Sequence, residues 1–293
     1  MGRAARMSEL AGKSIHVLGG QGMLGRALCN ELAERHVPFT TLTREDVDLS
    51  MPDSIAAMQP CDVLFNCAAW TDVDGAEAHE DEATQVNGRA IAQILGSDKT
   101  DLLVTFGTDY VFEGQGQKPY AIDHNRSPLN AYGRSKAAGE EAMESVDKRR
   151  WLHVRTSWLY APWGTNFVLT MRKLMGEREC LHVVSDQRGR PTSAEHLARC
   201  TIDLTTNGER GHWHATDGGE CTWFEFAQEI KRLTSAPATI EPCTSDQFPR
   251  PAKRPAYSVL DISQTEAELG PMPHWTDNLA DVLRRVPEGI TNA

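Results

Sequence analysis

Short apolar runs alternate with stretches of helical periodicity through the first half of the chain, and this alternation sets the expected architecture. Apolar segments of strand length fall at 14–18, 37–43, 61–67, 102–106 and 151–156. Between them, helical stretches follow Gly25 to Arg35, then cover 50–58, 87–95 and 131–147. Ser50 is placed to cap the second of these, with Asp53 at the capping-box position. Strand and helix in strict alternation predict a Rossmann-type, doubly wound parallel sheet in an α/β fold. A further helix is expected over 194–204. Beyond Ser157 the texture changes: Trp158, Trp163, Trp213, Trp223 and Trp275 gather there, with proline-rich loops over 248–255. The expected division is therefore a disordered extension over 1–13, a dinucleotide-binding domain over 14–157 and a smaller, mainly substrate-binding portion over 158–293. Within that portion, 181–205 is expected to pack back on the first domain. Met7 offers an alternative start.

The first strand runs into Gly19-Gly20-Gln21-Gly22-Met23-Leu24-Gly25 and then a helix, the context that makes a glycine motif credible for dinucleotide phosphates. Gly19 allows the tight turn, Gly22 lets the pyrophosphate approach the backbone and Gly25 permits close helix packing; with Met23 and Leu24 in the helix's first turn they are the expected cofactor-binding residues. After the second strand, where an acidic residue would meet a ribose 2′-hydroxyl, stands Arg44, which favours a 2′-phosphate and hence NADPH over NADH. A solvated loop arginine diluted by Glu45 and Asp46 is the competing reading. Asp48 and Leu49 complete that edge, and the small residues Cys67, Ala68 and Ala69 after the third strand let a flat ring lie against backbone.

Thr108 and Asp109 fall where the fourth strand ends, the end of an open α/β sheet that carries its chemistry. Tyr132 and Lys136 are four apart on the following helix and share a face. A fixed ammonium favours phenolate and should lower the tyrosine pKa from about 10, making Tyr132 a usable acid or base. Thr108 adds a hydroxyl for a carbonyl oxygen that becomes an alkoxide. A surface Tyr–Lys pair is the bland alternative for such a spacing taken alone.

A net charge of −11 leaves no basic footprint for nucleic acid or anionic membrane. No apolar run reaches the roughly 18 residues of a membrane span. Seven scattered cysteines without a Cys-x-x-Cys pair fit reduced thiols in a cytoplasmic protein. His212 and His214 alternate as strand residues on one face do, and no zinc-like spacing follows, so no metal is expected. Asp72, Asp74 and Glu77 read as a solvated loop or helix start.

Several ordered stretches resemble the dTDP-4-dehydrorhamnose reductase family of the extended short-chain dehydrogenases/reductases. They are Asn66-Cys67-Ala68-Ala69-Trp70-Thr71-Asp72, Thr108-Asp109-Tyr110-Val111-Phe112, Tyr132-Gly133-Arg134-Ser135-Lys136, Arg155-Thr156-Ser157-Trp158, Asn166-Phe167, Asp186-Gln187-Arg188-Gly189-Arg190-Pro191-Thr192 and Arg254-Pro255-Ala256-Tyr257. The resemblance implies NADPH-dependent reduction of the C4 ketone of a dTDP-linked keto-sugar, with Tyr132 as proton donor, Lys136 on the nicotinamide ribose and Thr108 on the substrate oxygen. It implies that Asn87 supports the lysine through water. It places Trp70, Asp109, Tyr110, Trp158 and Asn166 towards the sugar nucleotide, and leaves Arg254 open between its diphosphate and a structural salt bridge. Tyr110 stands where the related 4,6-dehydratases carry a glutamate, so ketone reduction is favoured over elimination. Gly107 departs from the family's usual serine, from which altered affinity is expected. Other 4-keto-deoxysugars, and a non-catalytic role like that of the regulatory subunit of methionine adenosyltransferase, are the rival readings. A homodimer is compatible with the resemblance.

Overall fold

In a computed structural model, which describes residues 10–286, the chain forms a six-stranded parallel sheet with helices on both faces. Its first strand, β1 (Ile15–Leu18), lies between β2 (Thr40–Leu42) and β3 (Cys61–Asn66), with β4 (Thr100–Thr108) and β5 (Trp151–Thr156) following outward from β3. The sixth strand, Gly211–His214, pairs in parallel with β5, so residues read from sequence as substrate-binding complete the sheet.

Helix α1 (Met23–Glu34) covers one face and buries Leu24, Ala27, Leu28 and Leu32. Helix Ala194–Thr206 joins the same apolar cluster through Ala194, Leu197, Ala198 and Ile202. On the opposite face α2 (Pro52–Ala57), the helix Ala90–Gly96 and the helix Ala131–Glu144 bury Ile55, Ile91, Ile94, Leu95 and Met143 against β3 and β4. The buried strands carry near-continuous apolar runs because a parallel sheet is covered on both sides. A third cluster, built on Tyr160, Val168, Phe226, Ile230, Trp275 and Leu279, is the core of the C-terminal portion. Strand Cys180–Val184 belongs to it, through Leu181 and Val183, and pairs with Thr239–Cys243.

Local chemistry explains where the elements differ from expectation. Strand β2 begins only at Thr40 because Pro38 lacks a donor and restricts Val37 before it. The next helix starts with Pro52 at its first position, not with Ser50 as cap; the Ser50 hydroxyl donates instead to Asp48 Oδ1 at 2.7 Å. The helix expected from Asn87 begins earlier, at Glu80, and passes through a π turn over Gln85–Arg89 that contains Asn87. Of the extension expected over 1–13, residues 1–9 lie outside the described part. Leu10 is buried with the α1 cluster and Lys13 pairs with Asp62 at 3.2 Å, so its last residues are ordered against the sheet.

Candidate active site

The strand order reverses between β1 and β3, since the chain leaves β1 for β2 on one side and returns to β3 on the other. The crevice beyond the carboxyl ends of these strands is where open α/β sheets bind ligands. The glycine turn from Gly19 to Gly25 follows β1 there, with Gly22 at the N-cap of α1 and Met23 and Leu24 in its first turn. A Cβ on Gly25 would overlap the Gly19 carbonyl oxygen and lie 2.7 Å from the Gly20 Cα, so the helix can press against its own turn only without a side chain. Cys67, Ala68 and Ala69 stand opposite: the Cys67 amide donates to the Leu18 carbonyl at 2.9 Å. At the β2 edge the Arg44 side chain is 81% exposed and pairs with Asp48 at 3.1 Å, which leaves its outer face open to solvent. Asp48 meanwhile orders the turn by accepting from the Ser50 amide and hydroxyl, and Leu49 is buried.

Thr108 is the last residue of β4, and the helix bearing Tyr132 and Lys136 is capped by Asn130, whose Oδ1 accepts from the Gly133 amide at 2.7 Å. Glu77 reinforces this start by accepting from the Ala131 amide at 2.8 Å. Tyr132 lies within electrostatic reach of the Thr108 side chain and makes an edge contact with the Tyr110 ring, centroids 6.1 Å apart. The Thr108 hydroxyl also donates to Asp109 Oδ1 at 3.1 Å and accepts from the Tyr110 amide at 3.2 Å.

Electrostatics here run against the simple expectation for the tyrosine. Burial, with the Asp109 carboxyl beside it, pushes the Tyr132 phenol up to about 12; only the Thr108 side chain acts the other way. Lys136 is pulled down to about 8 by burial, opposed by the Glu140 carboxylate. Burial likewise lifts the Asp109 carboxyl to about 7. A phenol of this kind holds its proton across the neutral range, which suits a donor better than a base.

Other expected residues turn out to be committed elsewhere. Asn87 clamps the loop after β3 to the Tyr132 helix: its Oδ1 accepts from the Trp70 amide at 2.9 Å and its Nδ2 donates to the Ser135 hydroxyl at 2.9 Å and the Trp70 carbonyl at 3.1 Å. Asn166 caps the helix Phe167–Glu177 and donates to the Ala161 carbonyl at 2.9 Å, so its amide serves the backbone and not a ligand. Asp109 is 3% exposed and lies beneath the site, not on its wall. Trp158, at a positive φ of 47°, stacks on Trp223 with centroids 3.6 Å apart. Arg254 donates to Asp74 Oδ1 at 2.7 Å, the salt-bridge alternative, and neighbours the Tyr110 side chain. Asp74 is thus a clasp between the loop after β3 and the C-terminal loop, not a solvated loop residue. Trp70 remains at the crevice beside Tyr132, its indole donating to the Asp72 carbonyl at 2.9 Å.

Sequence reasoning missed a buried charged group directly under the site. Glu140, fully buried, accepts from Arg155 at 2.9 and 2.7 Å, from His153 at 3.1 Å and from Arg126 at 3.2 Å. This group explains Gly107. A Cβ there would overlap His153 Nε2 and lie 2.8 Å from the Arg155 Cγ, on the face of β4 away from Thr108. The glycine therefore makes room for an imidazole rather than altering affinity for a ligand. Gly107→Ser is expected to destabilise the protein by about 2 kcal/mol, the scale of overpacking a filled core, read as a fall in thermal midpoint; an unchanged midpoint would show that His153 moves freely. His214 is satisfied on both nitrogens, by Arg155 at 3.2 Å and the Asp261 carbonyl at 2.9 Å. Glu140, His153 and His212 come within metal-ligand reach of one another, but the arginines already occupy both Glu140 oxygens.

Comparisons with known proteins agree with this architecture. The family model described as RmlD substrate binding domain matches residues 13–287. A dTDP-4-dehydrorhamnose reductase of Streptomyces griseus is 40% identical over 90% of this chain and 91% of its own length. A dTDP-4-keto-6-deoxy-D-glucose reductase of Streptomyces niveus is also 40% identical, over 91% of this chain and 95% of its own. The crystal structure of a Bacillus anthracis dTDP-4-dehydrorhamnose reductase in complex with NADP superposes with a TM-score of 0.86 at 31% identity, covering 93% of this chain and 99% of that one. Among the described residues no helix is long and apolar enough to cross a membrane.

Proposed function

The chain belongs to the family described as RmlD substrate binding domain, and from that membership we propose that it is an NADPH-dependent reductase of the C4 ketone of dTDP-4-dehydro-L-rhamnose, yielding dTDP-L-rhamnose. The observation that carries this reading is the Tyr132 phenol, set close to Thr108 at the carboxyl end of β4 and beside the sheet's crossover crevice.

The glycine-rich turn from Gly19 to Gly25, closed so tightly that a Cβ on Gly25 would overlap the Gly19 carbonyl oxygen, fits a dinucleotide pyrophosphate at the N-terminus of α1. Arg44, exposed at the tip of β2, is placed for a 2′-phosphate. When bound, the nicotinamide supplies hydride to the ketone carbon. Lys136 would hold the ribose hydroxyls of the bound cofactor and keep positive charge near the oxygen that becomes an alkoxide. Tyr132, protonated throughout the neutral range, delivers its phenolic proton to that oxygen. Thr108 steers the phenol and offers the same oxygen a second hydroxyl. Trp70, Tyr110 and the aromatic residues of the C-terminal portion, residues 158–286 less the segments that complete the sheet, would line the sugar-nucleotide side.

A second reading, reduction of the unepimerised 4-keto-6-deoxy-D-glucose nucleotide, is favoured by the equal identity to the Streptomyces niveus reductase. Supplying dTDP-4-keto-6-deoxyglucose with NADPH, with and without a 3,5-epimerase, separates the two by loss of nicotinamide absorbance. Oxidation that requires the epimerase is expected. Oxidation without it would transfer the assignment to the D-configured ketone, and none in either arm would overturn both.

A further inference from the structure

We infer that Cys180, His182 and Glu241 form a surface site for a thiophilic divalent cation of the zinc type, a metal staple between strands Cys180–Val184 and Thr239–Cys243 on the face turned away from the core of the C-terminal portion. The inference does not depend on which keto-sugar is reduced.

The two strands pair in parallel, with His182 opposite Glu241 and Cys180 opposite Thr239. Alternation turns Leu181 and Val183 into the apolar cluster, which leaves Cys180 and His182 together on the outer face. Ile240 packs on the same cluster, so Glu241 points outward as well. All three residues are exposed. The Cys180 sulfur, a His182 ring nitrogen and a Glu241 carboxylate oxygen lie within 4.8 Å of one another, and His182 Nε2 is 3.2 Å from Glu241 Oε2. Two such ligands on one tetrahedral zinc ion stand about 3.3 Å apart, so the nitrogen and oxygen are already at ligand spacing. A sulfur ligand stands about 3.6 Å from either. Cys180 therefore has about an ångström to close at most, a distance that one rotation of an exposed side chain covers.

The donor set selects the ion. Magnesium and calcium take oxygen ligands, whereas thiolate, imidazole and carboxylate together suit zinc. On binding, the thiol proton passes to solvent and the imidazole keeps its proton on Nδ1. Water fills the fourth position. Apolar packing accounts for cysteines inside a protein, and the other six here are buried or half-buried, but it does not account for Cys180. In the Glu140 cluster arginines occupy the carboxylate; among the described residues no arginine or lysine pairs with Glu241. Linear spacing hides the site, because its third ligand lies on another strand.

A sheet of two five-residue strands is marginal by itself, and a cation across it would hold it closed. The loops that leave these strands bond to one another, the Ser245 amide to Asp186 at 2.9 Å and the Arg188 amide to the Ala256 carbonyl at 2.8 Å, and set Gly189 against Trp158. The staple thus stiffens the base of the loops beside that ring.

The test is titration of metal-free protein with Co2+ in the absence of NADPH, since a cobalt thiolate shows a charge-transfer absorption in the near ultraviolet, followed by competition with Zn2+. We expect one equivalent of Co2+ to give the band and Zn2+ to abolish it. Zn2+ at about a hundred times its dissociation constant raises the thermal midpoint by about 5 °C. Cys180→Ser removes the band. His182→Gln and Glu241→Gln, which keep all seven cysteines, weaken binding by on the order of a hundredfold. Because these side chains are exposed, the metal-free variants should melt with the wild type. No band, or one that survives Cys180→Ser, overturns the inference. A band lost in Cys180→Ser but unchanged in the His182 and Glu241 variants marks a single thiol collecting metal, and overturns it too.

Discussion

Tyr132→Phe is expected to lower turnover by about three orders of magnitude, within the range that removal of a positioned proton donor costs, while NADPH affinity is retained. The phenyl ring preserves the edge contact with Tyr110 and the packing beside Trp70, so the change removes one hydroxyl and little else. The sign of the pH effect follows from the site. Burial and Asp109 push the Tyr132 pKa up to about 12, so the donor remains loaded from acid pH to well above neutrality. An alkaline loss of wild-type activity is therefore expected to come from Lys136, pulled down to about 8 by burial, and not from Tyr132. Single-turnover rates with NADPH bound provide the measurement, and a variant with wild-type rates would remove Tyr132 from the chemistry.

Gly25→Ala should be nearly as damaging by a different route. Its methyl group would overlap the Gly19 carbonyl oxygen and lie 2.7 Å from the Gly20 Cα, and both are backbone atoms that cannot swing aside. Either α1 lifts off the turn or the turn opens. Each displaces the amides at the N-terminus of α1 by something near an ångström, a misplacement that costs on the order of a hundredfold. We expect NADPH affinity to fall by that factor and the thermal midpoint to drop with it. Titration of cofactor fluorescence checks the first and calorimetry the second; tight NADPH binding by the variant would show that this turn does not hold the pyrophosphate.

The parallel sheet was legible because each buried strand is an apolar run and each helix an amphipathic one, signals that depend only on neighbours in sequence. The glycine turn, Thr108, Tyr132 and Lys136 were legible for the same reason, since each is a short motif placed at the end of a recognisable element. Boundaries failed where a single residue overruled the pattern, as Pro38 and Pro52 did. The intramolecular contacts of Asn166, Asp109 and Trp158 were not legible because a side chain suited to a ligand is equally suited to a cap, a buried bond or a ring stack. Only its neighbours in space distinguish them.

By itself, then, the order of residues determined the α/β class, the crossover crevice and the pair of groups that can move a proton, because periodicity and turn chemistry act over a few positions. The tertiary structure decided the ionisation of those groups. The tyrosine pKa rises instead of falling because burial and the Asp109 carboxyl, just beyond the end of β4, outweigh the lowering effect of the Thr108 side chain. The lowering of the lysine pKa by burial is opposed by a glutamate held by arginines from β5 and from the loop before its own helix, and the sheet is completed by a strand from the C-terminal half. Burial and Coulomb interaction are set by distance through space, and residues far apart in the chain bring those charges together only when it folds.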